Sequence, residues 1–140
     1  LYVSPMLRTR QTAELLFPEM FHTIVEDFRE TNFGLFEGKT AGELSDCSEY
    51  QAWVESMCLA PIPEGESVVE FKSRCCAAFE TIIKSLPDNS CAAFVVHGGV
   101  IMSILEAYAH PKKEFYDYHI QNGKYLMCYF DEYLRVVETN

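Results

Sequence analysis

The stretch that most limits the fold is CAAFVV at residues 91–96, which is followed directly by HGG. A run of six apolar residues without alternation is typical of a strand buried on both faces, and such strands occur mainly in parallel sheets covered by helices. Parallel strands need crossover connections, and helical patterns lie between the short apolar runs of this chain. We therefore predict an α/β fold with a mainly parallel central sheet and helices on both faces.

Serine and proline near the front of the chain predict the start of a helix. Ser4 is a favoured N-cap and Pro5 fits the first helical position, so we expect a helix from here to about Phe17. Residues 1–3 before it are typical of the end of a strand. Further helices are predicted at 41–58, at 67–86, where S-x-x-E forms a capping box, and at 100–109; further strands are predicted at 21–27, 124–130 and 134–139.

The amino-acid composition limits the kinds of molecule that this protein is expected to bind. The length of 140 residues suits one domain, and 21 acidic residues against 11 basic ones give a formal net charge of -10. Nucleic acids and anionic lipids attract Lys and Arg, so we expect neither nucleic acid nor a membrane as a partner. The six cysteines include no C-x-x-C pair, which is typical of reduced thiols in a cytoplasmic protein.

Three places carry side chains suited to handling a small anion. Arg8 lies in the first turn of the first predicted helix, where the helix dipole also favours negative charge. His97 and Gly98 follow the predicted strand at 91–96, the position at which open α/β sheets bind ligands. Glu30 lies in a glycine-containing loop and could donate a proton. Each also has a plainer interpretation: a solvated Arg8 or Glu30, and a His97 that only completes a strand-to-helix turn.

Other patterns carry little functional signal. His22, His110 and His119 have no ligand spacing relative to one another or to a cysteine, so no metal site is expected. The stretch GLFEGKT resembles the phosphate loop G-x-x-x-x-G-K-[ST], but its spacer is one residue too short and no buried strand precedes it. Binding of a nucleoside triphosphate is therefore not expected.

Four motifs in order resemble the histidine phosphatase superfamily, also called phosphoglycerate mutase-like. SPMLRTRQTAE resembles the family's S-P-L-x-R-T-x-Q-T-A-E, and FRETNFGLFEG resembles L-R-E-x-x-F-G-x-W-E-G, with Phe36 in place of the usual Trp. EGES, with Arg74 further on, resembles the P-G-E-S segment. VVHGGVI resembles the block that carries the family's second active-site histidine. Together these motifs span nearly the whole chain.

The resemblance implies a chemistry and a role for each candidate. A histidine of the family attacks a small phosphomonoester and forms a phosphohistidine, which water then hydrolyses without a metal or other cofactor. By resemblance, Arg8 binds the phosphate, and His97 and Gly98 hydrogen-bond the phosphoryl oxygens. Glu30 would protonate the leaving oxygen and then activate water. The implied activity is that of a phosphomonoesterase.

The sequence departs from the family at its signature R-H-G, which carries the nucleophilic histidine. None of the four histidines follows an arginine. The family places R-H-G on a strand before the S-P-L-x-R-T block, so we expect residues 1–140 to be one N-terminally incomplete domain, lacking that strand, its helix and the nucleophile. This chain alone is then expected to be inactive. Two alternatives stay open: a cofactor-dependent phosphoglycerate mutase, which is an isomerase, and an inactive phosphate-binding module.

Overall fold

A computed structural model describes residues 1–139. The chain forms two compact units: residues 1–30 together with the chain from residue 74 onward make the first, and residues 31–73 make the second. Among the described residues, no helix is both long and apolar enough to cross a membrane. All six cysteines are free thiols.

The first unit contains a parallel three-stranded sheet. Its strands are β1 (Tyr2–Val3), β2 (Thr23–Ile24) and β3 (Phe94–Val95), in the order β2-β1-β3. Tyr2 lies opposite Thr23 on one side and opposite Phe94 on the other. The parallel sheet predicted from the sequence is thus confirmed, and its strands end at the same edge.

The strand β3 is shorter and less buried than predicted for residues 91–96. Its two residues are half-buried rather than buried on both faces. The regular ladder is short because β1 offers only two residues to pair with, although the Tyr2 N–H also donates to the Ala93 carbonyl at 2.9 Å. The Phe94 ring lies 5.5 Å from Tyr2, 5.7 Å from Phe79 and 5.9 Å from Phe28. Aromatic packing therefore fixes β3 where ladder hydrogen bonds are few.

The α-helices of the described chain are α1 (Leu7–Leu16), α2 (Ser48–Glu55), α3 (Val68–Ser85) and α4 (Gly98–Tyr108). The prediction that Ser4 caps α1 is wrong, because the N-cap is Met6 and it makes no side-chain cap. The capping box that opens α3 is confirmed: Ser67 Oγ donates to Glu70 Oε2 at 2.6 Å, and the Glu70 N–H donates to Ser67 Oγ at 3.2 Å. The helix α4 begins two residues earlier than predicted, with His97 as its N-cap.

The second unit, residues 31–73, has a small aromatic core. Phe36, Leu44 and Ile62 are buried in it, and Tyr50 and Trp53 pack against them from α2. The predicted helix at 41–58 is too long. Turns occupy residues 41–46, and the helix ends before Met57 and Cys58, whose φ angles of 58° and 63° are left-handed.

The two strands predicted near the end of the chain are confirmed. They are β4 (Leu126–Phe130) and β5 (Leu134–Thr139), which pair antiparallel with a bulge between Met127 and Cys128. This hairpin belongs to the first unit. Its residues take no part in the site described next.

Candidate active site

The candidate site is built on His97, which the end of β3 and the start of α4 hold in place. The Ser4 N–H donates to the Val95 carbonyl at 3.0 Å and so continues the β1–β3 register by one residue. This register brings Ser4 Oγ to 2.7 Å from His97 Nε2. Ser4 is completely buried, and only 4% of the His97 side chain is exposed. The sheet edge therefore fixes one ring nitrogen of His97.

The partners of His97 identify the nitrogen that carries its proton. Arg8 Nη2 lies 3.1 Å from His97 Nδ1, and a guanidinium can only donate, so Nδ1 is the acceptor. The proton of a neutral ring is then on Nε2 and is donated to Ser4 Oγ. Burial lowers the pKa of His97 to about 4, and the positive charges of Arg8 and Arg74 add to the effect. His97 is therefore neutral at physiological pH, and its Nδ1 lone pair faces Arg8.

Glu30 approaches the same ring nitrogen from the loop after β2. Its Oε2 lies 3.9 Å from His97 Nδ1, and 23% of its side chain is exposed. Because His97 is neutral, this contact is not an ion pair. The exposed Arg8, the partly exposed Glu30 and Nδ1 of His97 thus meet at one point that solvent can reach. A cationic fork, a carboxylate and an imidazole are suited to bind an oxyanion and to move a proton.

A second arginine holds the segment that carries Glu30. Arg74 Nη1 donates to the carbonyls of Asp27 at 2.6 Å and Arg29 at 2.8 Å, and Arg74 Nη2 donates to the carbonyl of Glu30 at 3.3 Å. Arg74 lies on α3, and Phe28, between its acceptors, is fully buried. The loop after β2 is therefore held by packing on one side and by a guanidinium on the other.

Gly98 is the first residue of α4 and directly follows His97. A Cβ atom added at Gly98 would meet nothing within 4 Å. The space beside this helix start is thus open, and the backbone N–H groups of the first helical turn favour anions. Within the described chain, no group of three or more His, Cys, Asp or Glu side chains is arranged to hold a metal ion.

The structure brings together Arg8, Glu30 and His97, which were singled out from the sequence, with Gly98 adjacent. Two contributors were missed. Ser4 was interpreted as a helix cap, although its position at the carboxyl end of a strand was a usable signal. No role was predicted for Arg74, because its acceptors are backbone carbonyls. Every residue has one, so the sequence does not show which of them an arginine contacts.

Comparison with known proteins agrees with this fold. The model of the histidine phosphatase superfamily (branch 1) matches residues 1–139. The Yersinia pestis protein named probable phosphoglycerate mutase GpmB is 34% identical over 111 residues, which are 73% of this chain and 50% of that protein. The chain thus spans about half the length of the curated relatives it matches.

Solved structures share this fold. The α-ribazole phosphatase from Shigella flexneri superposes with a TM-score of 0.82 at 21% identity, covering 97% of this chain and 70% of that one. The phosphoglycerate mutase from Thermus thermophilus superposes with a TM-score of 0.64 at 26% identity, covering 99% and 71%. The first of these similarities is one of fold alone. With the family match over residues 1–139, the chain belongs to the histidine phosphatase superfamily, branch 1.

Proposed function

We propose that the full-length protein is a metal-independent phosphomonoester hydrolase that works through a phosphohistidine intermediate. The observation that carries the proposal is the meeting of Arg8, Glu30 and Nδ1 of His97 at one solvent-reachable point. Membership of a superfamily of phosphatases and mutases supports it. The substrate class is a small phosphorylated compound, and the free cysteine thiols favour a reducing compartment such as the cytoplasm.

Arg8, His97 and Gly98 would hold the phosphoryl group. The guanidinium of Arg8, now 3.1 Å from His97 Nδ1, would turn its fork to the phosphate oxygens. A bound dianion next to His97 would favour the charged imidazolium, opposing the two arginines that lower its pKa. Nδ1 would then carry a proton and donate it to a phosphoryl oxygen. The N–H of Gly98 would add a neutral donor at the start of α4.

Glu30 would act as the acid and then the base. The attacking histidine belongs, in this proposal, to a segment that precedes these 140 residues in the full-length protein, because no histidine here follows an arginine. Its ring nitrogen forms the bond to phosphorus while the bond to the leaving oxygen breaks, and Glu30 gives that oxygen its proton. The Glu30 carboxylate then takes a proton from water, which attacks the phosphohistidine. Phosphate leaves and the histidine is restored.

A phosphoglycerate mutase is the second candidate. It is favoured by the 34% identity to the Yersinia pestis protein of that name. A mutase would return the phosphoryl group to the substrate rather than to water. We favour the hydrolase because only about 26 residues separate Gly38 from Gly65. The mutases of the family have a longer insertion at this place.

The test compares an alkyl phosphate with p-nitrophenyl phosphate, using the full-length protein without added metal. Glu30→Gln removes the proton donor, so kcat/KM for the alkyl phosphate, which reports formation of the phosphohistidine and not its later hydrolysis, should fall by about 10²- to 10⁴-fold. The loss on p-nitrophenyl phosphate should be much smaller, because nitrophenolate leaves without a proton. Glu26→Gln is the matched control, since Glu26 is an exposed carboxylate four residues away.

Two results would contradict the proposal. Equal losses of kcat/KM on both substrates would remove Glu30 from the role of acid. No turnover by the wild-type protein, together with no acid-labile phosphoprotein, would reject both the hydrolase and the mutase and would leave a phosphate-binding module.

A further inference from the structure

The guanidinium of Arg74 makes an unusual set of contacts. It donates to three backbone carbonyls within four consecutive residues, those of Asp27, Arg29 and Glu30. Hydrogen bonds from a charged donor are stronger than neutral ones, and a planar fork also fixes their directions. Arg74 therefore constrains the main chain at the residue that carries the carboxylate of the candidate site.

The main chain of this segment is also held by the sheet before it and by one turn. The last sheet hydrogen bond before it runs from the Val25 N–H to the Val3 carbonyl, at 2.9 Å. A single 3-10 turn, Glu26–Phe28, follows and ends at Arg29. The buried ring of Phe28 anchors the turn, and the Arg29 N–H closes it on the Glu26 carbonyl at 3.1 Å. Beyond that hydrogen bond, Arg74 holds the carbonyls of Arg29 and Glu30, and these peptide planes help to set the direction in which the Glu30 side chain leaves the backbone.

We propose that Arg74 is a positioning residue, which sets the Glu30 carboxylate opposite Nδ1 of His97 for proton transfer to the leaving oxygen. This inference rests on the proposed function, because it assigns no contact between Arg74 and the substrate. Glu30 Oε2 lies 3.9 Å from Nδ1, so a small rotation of the segment changes its distance to a phosphoryl group bound there. Misplacement by about 1 Å can reduce a rate about 10²-fold.

A purely structural role for Arg74 predicts a different pattern of activity losses. If it only stabilised the first unit, its loss would lower the activity toward every substrate in proportion to the folded fraction. A positioning residue for the acid affects the leaving groups that need a proton more than those that do not. The two roles can therefore be distinguished by comparing the activity losses on substrates with different leaving groups.

The test uses Arg74→Lys in the full-length protein, because lysine keeps the positive charge near His97 and loses the fork. We expect kcat/KM for an alkyl phosphate to fall on the order of 10- to 100-fold, with a loss at least about tenfold smaller for p-nitrophenyl phosphate. Arg10→Lys is the matched control, since Arg10 is an exposed arginine on α1. Circular dichroism and thermal unfolding establish that the variants are folded.

A double-mutant cycle with Glu30→Gln sharpens the result. If Arg74 acts through Glu30, adding Arg74→Lys to Glu30→Gln should produce no further loss on the alkyl phosphate. Additive losses, equal losses on both substrates, or an Arg74→Lys protein that does not fold would each overturn the inference. If Glu30→Gln alone leaves hydrolysis of the alkyl phosphate unchanged, the proposed function fails first. A selective effect of Glu30→Gln without one of Arg74→Lys defeats only the inference.

Discussion

The buried His97 should make the folded protein sensitive to mild acid. Its pKa is lowered from 6.5 to about 4, chiefly by burial and further by Arg8 and Arg74. Between these two pH values the unfolded chain binds a proton at His97 and the folded chain does not. Stability is therefore fully present above about pH 6.5, falls as the pH falls through this window, and loses no more from His97 below about pH 4.

The size of the effect follows from the shift. A difference of about 2.5 pKa units at about 1.4 kcal/mol per unit gives a loss of roughly 3 kcal/mol. Only 4% of the His97 side chain is exposed, so solvent screens this cost little. Such a loss is a large part of the 5–15 kcal/mol by which domains of about this size are usually stable.

The assay is urea unfolding of wild type and His97→Gln across this pH range. Glutamine is a suitable replacement, because its amide oxygen can accept from Arg8 and its NH₂ group can donate to Ser4, as the ring nitrogens do. Other titrating groups contribute to both proteins and cancel in the difference. We expect the free energy of unfolding of wild type to fall by about 3 kcal/mol more than that of the variant. Parallel pH profiles would refute the assignment of a buried neutral His97.

Two further predictions concern stability. Ser4→Ala removes the acceptor of the His97 Nε2 proton and leaves a buried donor unpaired, so the free energy of unfolding should fall by about 1–3 kcal/mol, whereas Ser4→Thr should lose less. Gly34→Ala places a Cβ atom against the Pro63 carbonyl oxygen at a left-handed φ of 48°, whereas Gly38→Ala, at a φ of 70°, meets nothing within 4 Å. Thermal unfolding should show a loss of about 1–2 kcal/mol for Gly38→Ala and a clearly larger one for Gly34→Ala; equal losses would contradict the steric argument.

The sequence was informative where the relevant interactions are local. The apolar run before His97 predicted a parallel strand, and the capping box of α3 joins residues only three positions apart. The ordered motifs also located Arg8 and Glu30, because family patterns include partners that lie far apart in the chain. These features explain why the fold class and the family could be predicted before the structure.

The errors concern interactions with distant partners. Ser4 fits an N-cap by its neighbours, but its hydroxyl bonds His97, which lies 93 residues away. The contacts of Arg74 with the carbonyls of Asp27, Arg29 and Glu30 depend on how α3 packs and not on the identity of the acceptors. The helix predicted at 41–58 was too long at both ends: turns occupy residues 41–46, and the left-handed backbone at Met57, which is not a glycine, follows the end of α2.

The central place of β1 has a consequence for how the protein is made. Both of its neighbours, β2 and β3, come later in the chain, and the Ser4–His97 bond closes a span of 93 residues. The length-dependent entropy of closing such a span is about 4 kcal/mol, so this contact forms only when other parts of the first unit already favour it. During synthesis, β1 keeps one edge unpaired until the ribosome has released β3, which ends at residue 95. Unpaired strand edges make partly folded chains prone to aggregation, so β1 is exposed to this hazard until the sheet closes.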